Sequence, residues 1–178
     1  SVEATTINNA ASTTATFSDN VTATITNSGT LLFNATDAKS VTGTIAEATG
    51  GDTTEVQVIN SANSEAPSVV TFTAAVAADT LTIGTTTYGG AALFEEAVTT
   101  PTISVVGGDH ADEDSTVTFN KAVTSSSSIT LNDQTGDAKV IFAANNSVTI
   151  TGTIDGASSD EGTLQITGAT KTFASVIG

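Results

Sequence analysis

The 178 residues contain no cysteine, no methionine, no tryptophan and no arginine; the cationic side chains are four lysines and a single histidine. Each absence excludes a chemistry. Without Cys there is no disulfide framework, zinc thiolate site, iron–sulfur cluster or thiol nucleophile. One His and no Arg leave little for general acid–base catalysis or for clamping an oxyanion. Nineteen Asp and Glu bring the formal net charge to -15 and the pI to about 4.1. A chain this acidic does not grip phosphate backbones or anionic lipid, so nucleic acid is excluded as a partner. No run approaches the ~20 apolar residues that cross a bilayer, and no basic segment followed by an apolar one opens the chain. Membrane insertion is therefore not expected. The first residue is Ser1 rather than Met, so a mature secreted protein or a segment of a longer one is expected.

What is present is small and β-branched. Thr alone makes up about a fifth of the chain, and aromatic residues only 4%. Stiff β-branched side chains favour a pleated surface. Charged residues reach only 13%, too few for a disordered polyelectrolyte or for helices laced with ion pairs. Period-two alternation recurs in Val21–Ile25, Glu55–Ile59, Thr80–Ile83, Thr116–Phe119, Ser147–Thr151 and Thr163–Ile166. Turn-forming groups separate these runs: Asn27-Ser28-Gly29, Gly50-Gly51-Asp52, Gly89-Gly90, Gly107-Gly108-Asp109, Thr135-Gly136-Asp137 and Asp155-Gly156. Pro67 and Pro101 each adjoin a strand-like run, where proline marks a strand start or an edge. The fold class is all-β.

All seven Phe fall in two recurrent phrases. One is Thr-Phe followed four residues after the Phe by Val or Ile: Thr16-Phe17 with Val21, Thr71-Phe72 with Val76, Thr118-Phe119 with Val123, and Thr172-Phe173 with Ile177. The other is an apolar pair ending in Phe: Leu31-Leu32-Phe33, Ala92-Leu93-Phe94 and Val140-Ile141-Phe142. The first and last of these lead into Val41-Thr42-Gly43-Thr44-Ile45 and Ile150-Thr151-Gly152-Thr153-Ile154, at a constant offset of 109 residues. Chance phrases in a Thr-rich chain would not gather every Phe. The reading is a single all-β repeat domain over residues 1–178, with units starting near 16, 71 and 118 and a truncated one at 172. Half-units of about 22 to 27 residues match the rung of a parallel β-helix. The expectation is a right-handed parallel β-helix or solenoid of imperfect repeats with about seven to eight rungs. The alternative is a β-sandwich with strands exchanged between subunits.

Thr118-Phe119-Asn120-Lys121-Ala122-Val123-Thr124, and the run from Ile150-Thr151-Gly152-Thr153-Ile154 to Gly162-Thr163-Leu164-Gln165-Ile166, carry a resemblance. They are similar to the β-strand repeats of large bacterial surface proteins, including surface-layer-like repeats and autotransporter passenger domains of the rickettsial outer-membrane type. The resemblance spans most of the chain and is best over residues 118–178. It implies a secreted, surface-displayed β-solenoid with a structural, adhesive or surface-layer role. The 178 residues hold no membrane-barrel domain of the kind that accompanies such passengers. Similar repeats occur in phage tail fibres and decoration proteins, which makes the virion the alternative location.

The densest polar cluster is Gly107-Gly108-Asp109-His110-Ala111-Asp112-Glu113-Asp114. Asp109, Asp112, Glu113 and Asp114 in a Gly-started loop could supply oxygen ligands to Ca²⁺, which takes six to eight of them. The spacing is not that of an EF-hand, and a solvated acidic turn is the plainer reading. His110 could add a ligand for a transition metal, but a lone loop His is usually neither ligand nor base. Smaller acidic groups occur at Asp133 with Asp137, and at Asp155 with Asp160-Glu161. Apart from calcium no cofactor is indicated. Neighbouring Glu95 and Glu96, read as strand residues, would point to opposite faces and could not flank one glycosidic bond. Ser125–Ser128 lacks the flanking Gly of a nucleophile elbow. No enzymatic activity is expected.

The function expected is that of an extracellular or cell-surface structural subunit that assembles with itself into a layer, filament or fibre. Unpaired strand edges at solenoid ends can be completed by a like subunit. Thr172, Phe173 and Ile177 would pair with the next copy near Thr16 and Phe17. The competing expectation is a phage fibre, decoration protein or adhesin that binds a receptor or surface glycan through a loop.

Overall fold

The computed structural model describes residues 1–50, 52–62, 67–143, 149–159, 161–168, 172–173 and 177–178. It is a β-solenoid of about six turns, with no helix among the described residues. Each full turn contributes three strands. The first face stacks Thr14–Phe17, Thr30–Asn34, Glu55–Ile59, Thr80–Ile83, Thr102–Val106, Ser128–Asn132 and Thr153–Gly156 in a seven-stranded sheet. The other two faces are arms of a 14-stranded sheet that meet on Val21–Asn27. One arm, the second face, stacks Lys39–Thr42, Val69–Phe72, Ala91–Phe94, Ser115–Phe119, Ala138–Phe142 and Thr163–Ile166. The third face stacks Ile45–Glu47, Val76–Ala77, Val98–Thr99, Val123–Ser125, Thr149–Ile150 and Thr172–Phe173. Val2–Asn9 lies over Val21–Asn27 at the N-terminal end.

Every strand pairing is parallel and joins one turn to the next, which rules out the sandwich alternative. Leu31, Val56, Leu81, Ile103, Ile129 and Ile154 form one file, so a turn takes 22 to 26 residues. That is the expected rung length. The turns number about six rather than the seven to eight expected. From Val41 to its partner Phe72 the step is 31 residues.

Alternation sets the core. Inner positions on Val21–Asn27 are buried and outer ones exposed or partly so, and Ser115–Phe119 and Ala138–Phe142 repeat the pattern. Outer positions carry Thr, whose branched side chain suits the strand while its hydroxyl meets water. Inner Val, Ile, Leu, Phe and Ala from all three faces join one buried cluster. The seven Phe form a continuous column through it. It runs from Phe17 and Phe33 on the first face, through Phe72, Phe94, Phe119 and Phe142 on the second, to Phe173 on the third, with neighbouring ring centroids 4.6 to 5.9 Å apart.

The two sequence phrases differ in wording but not in structural meaning. Phe72, Phe94, Phe119 and Phe142 alternate between the phrases, yet they are register partners on consecutive turns. The interval from Phe to Val is a corner. Phe17 to Val21 turns from the first face to the second, and Phe72 to Val76 and Phe119 to Val123 from the second to the third; Phe173 and Ile177 lie on the third and first faces. The 109-residue copies are likewise displaced by one face. Leu31, Val41 and Ile45 lie on the first, second and third faces, whereas Val140, Ile150 and Ile154 lie on the second, third and first. Gly43 and Gly152 explain why both copies keep glycine. A Cβ would lie 2.1 Å from Ala23 O at Gly43 and 2.3 Å from Ser127 O at Gly152, both on the preceding turn.

Polar groups inside the corners are satisfied locally, as buried amides and hydroxyls require. Asn9 donates to Asn27 Oδ1 (2.8 Å), and Asn27 in turn donates to the carbonyl of Gly29 (2.8 Å). Further down the same corner, the Ser125 hydroxyl donates to the carbonyl of Pro101 (3.0 Å). Pro101 stands immediately before Thr102–Val106, the strand-start position expected of it.

Candidate functional site

The acidic loop 107–114 connects Thr102–Val106 on the first face to Ser115–Phe119 on the second. Its entry is fixed by backbone packing between turns. The amide of Gly107 donates to Asn132 O (2.9 Å), and the amides of Thr135 and Gly136 donate to Gly108 O (3.2 and 3.0 Å). A Cβ on Gly107 would lie 1.8 Å from Gly136 O, so only glycine fits there. The loop then closes on itself through Gly108 N to Glu113 O (2.8 Å) and Glu113 N to His110 O (3.1 Å).

Within this frame Glu113 turns inward. Its residue exposure is 1%. One carboxylate oxygen, Oε2, accepts a hydrogen bond from the His110 amide at 3.3 Å. The other, Oε1, is buried without a hydrogen-bond partner, alone in this among the described residues. Asp109 and His110 remain exposed, with His110 Nε2 3.7 Å from Asp109 Oδ1. One ligand atom each from Asp109, His110 and Glu113 lies within 4.8 Å of the others.

The structure thus gathers two of the four acidic residues expected at a metal site and adds His110. Asp112 is exposed and stands outside the cluster. Asp114 is also outside it, and its Oδ1 accepts from the Asp137 amide of the next turn at 2.9 Å. Of the minor acidic groups, Asp133 and Glu161 serve the backbone in the same way. Asp133 accepts from the amides of Ala138 (2.6 Å) and Gly162 (2.9 Å), and Glu161 accepts from Ser158 N (3.0 Å). Asp160 lies outside the described residues.

Glu95 and Glu96 do not belong to a strand. They form the exposed corner after Ala91–Phe94, a correction to the strand-like reading. The chain turns there because Phe94 and Val98 must both point inward across four residues. A cleft of about 420 Å³ lies between Glu47, Asp52 and Asp79, but the Asp79 carboxylate is already occupied by Thr54 N (2.8 Å) and Thr54 Oγ1 (3.2 Å).

The residues expected to act in assembly sit at opposite ends. Thr16 and Phe17 belong to Thr14–Phe17, the first strand of the first face. Thr172 and Phe173 form the last strand of the third face, and Ile177 bridges to Ile154 on the first face. The signal missed in the sequence is the burial contrast within files. Ile166 pairs with Phe142 and Ile177 with Ile154, both partners fully buried, yet Ile166 and Ile177 are 47% and 48% exposed.

Fold and site together define a three-faced parallel β-solenoid with a strapped acidic loop on one corner. No family model matches the chain, and no curated protein or solved structure matches it either.

Proposed function

We propose that the chain is a non-enzymatic structural module of an extracellular or cell-surface assembly, joined head to tail to further copies of itself. The observation that carries this reading is the exposed apolar pair Ile166 and Ile177, in files buried everywhere else in the solenoid interior. One more turn of the same cross-section would cover both. A second copy supplies such a turn in matching phase. The C-terminal turn runs Thr163–Ile166, Thr172–Phe173 and Ile177 across the second, third and first faces. The N-terminal turn runs in that same order, with Val2–Asn9 over the second and third faces and Thr14–Phe17 on the first. Stacked copies would continue the spiral, placing Ile177 over Ala15 and Ile166 over Val2. Ala15 is itself only partly buried, and Val2 is exposed.

Such a contact is heterologous, so it generates an open filament rather than a closed ring when the rotation per copy does not close. The resemblance to bacterial surface repeats supports an extracellular setting, and the scarcity of catalytic side chains supports a structural role.

Sedimentation velocity on the parent chain and on Ile166→Lys/Ile177→Lys tests the reading. The parent forms concentration-dependent polymers, while the double variant stays monomeric with an unchanged β-sheet circular-dichroism spectrum. A parent that remains monomeric at high concentration, or a folded variant that polymerises equally, overturns it.

A further inference from the structure

We infer that loop 107–114 is a binding site for a divalent transition metal of the zinc class, held by the carboxylates of Asp109 and Glu113 and the imidazole of His110. An acidic cluster on a loop would not support this by itself. The deciding observation is Glu113, which is 1% exposed and has a buried oxygen without a partner. An ionised carboxylate withdrawn from water needs a compensating charge or full hydrogen bonding. Among the described residues it forms no ion pair, and its one side-chain hydrogen bond comes from the His110 amide. A dication bound by Asp109 and Glu113, with neutral His110, balances the charge of the cluster.

The surrounding backbone is shaped for that carboxylate. A Cβ on Gly108 would lie 2.5 Å from Glu113 Oε2, and 2.9 Å from Gly89 N of the preceding turn. Glycine at 108 therefore leaves the space that the carboxylate occupies. The straps from Gly107 and Gly108 to Asn132 and Gly136 hold the loop's entry and the Ser115 amide donated to Asp137 O holds its exit, so the metal would bind to a loop already folded. Asp109 and His110 are exposed and can close onto the ion by side-chain rotation, from a present spread of at most 4.8 Å between ligand atoms.

Ligand identity selects the metal. Calcium takes six to eight oxygens, and the loop brings together only two carboxylates, since Asp114 is committed to Asp137 N. An imidazole nitrogen beside two carboxylates suits zinc, cobalt or nickel, and three protein ligands leave a coordination position for water. This inference does not depend on the assembly proposed above, because the loop lies on a corner midway along the solenoid.

The chelator-treated chain titrated with Zn²⁺ by calorimetry and with Co²⁺ by visible absorption provides the test. One equivalent should bind, Co²⁺ should develop ligand-field bands, and Zn²⁺ should raise the thermal midpoint. His110→Ala and Asp109→Asn alter exposed side chains, so folding is preserved. Each should weaken binding by roughly tenfold or more, at least the loss that follows removal of an outer-shell partner. Asp112→Asn should bind like the parent. The inference is overturned if binding is not saturable, if His110→Ala binds as the parent does, or if Ca²⁺ displaces Zn²⁺ at equal concentration.

Discussion

Phe72 and Phe94 stack face to face with ring centroids 4.6 Å apart and planes 9° from parallel, although they belong to differently worded phrases of the sequence. They are register partners on consecutive turns, and Phe94 stacks in the same way on Phe119 (5.4 Å, 18°). An interior Phe therefore joins two interfaces at once. In a solenoid, stability is close to a sum over turns and the interfaces between them. Phe94→Ala should cost about 3–5 kcal/mol, the range for removing a buried Phe. Phe17→Ala, at the N-terminal end with a stacking partner on one side only, should cost less. Urea unfolding of the two variants checks the order; equal losses would mean that position in the column does not matter.

The corners set a second expectation. Gly107→Ala would drive a methyl to within 1.8 Å of Gly136 O, and that oxygen belongs to backbone with no side-chain freedom to yield. Gly50→Ala meets nothing closer than the Asp52 carboxylate at 3.9 Å. Gly107→Ala should lower the thermal midpoint by several degrees, whereas Gly50→Ala should leave it unchanged or slightly raised by reduced unfolded-state freedom. Differential scanning fluorimetry of the pair distinguishes them.

These two cases show why the fold class was legible in the sequence and the repeat unit was not. Alternation of Thr with Val, Ile and Leu specifies strands, and the spacing of Phe specifies turns of the length observed. The unit read as two rungs, however, reflects wording alone. A corner needs an inward residue, a four-residue step and another inward residue, and each of the three corners imposes that same demand. Phe17-to-Val21 and Phe119-to-Val123 thus look alike while standing on different corners. At the acidic loop, sequence showed a dense group of carboxylates but not their directions. Glu113 turns in and Asp114 engages the next turn because the glycines at 107 and 108 let three turns approach closely. That approach is a contact between residues about 25 apart, which no local pattern records.

Ser115 marks another such contact. Its buried hydroxyl donates to the carbonyl of Val106 and accepts from the amide of Gly90 at 3.0 Å, joining neighbouring turns at the corner beside the acidic loop. Ser115→Ala would leave the buried Gly90 amide and the partly buried Val106 carbonyl short of a partner, at a cost of about 1–3 kcal/mol. An outward hydroxyl of the same strand, Thr118, is only partly buried, and its change to Ser should fall within about 0.5 kcal/mol. Hydrogen exchange gives a local check: the Gly90 amide should lose protection in Ser115→Ala and keep it in Thr118→Ser.

Charge governs the final expectation, which concerns assembly. The proposed head-to-tail stacking would bring together copies that each carry a formal charge of -15, so repulsion would oppose the burial of Ile166 and Ile177. Screening weakens that repulsion, with a Debye length of about 10 Å at 0.1 M ionic strength. Polymers should accordingly be longer in about 0.5 M than in about 0.02 M NaCl. Calcium bridging between copies would predict a different pattern, with CaCl₂ far more effective than NaCl at matched ionic strength. The loop carboxylates argue for screening, because Asp114, Asp133 and Glu161 already accept backbone amides within their own copy. Sedimentation velocity at matched ionic strength should give equal polymer lengths in the two salts. Polymers that shorten as NaCl rises would instead place an attractive charge pairing at the junction, and the apolar contact would lose its leading role.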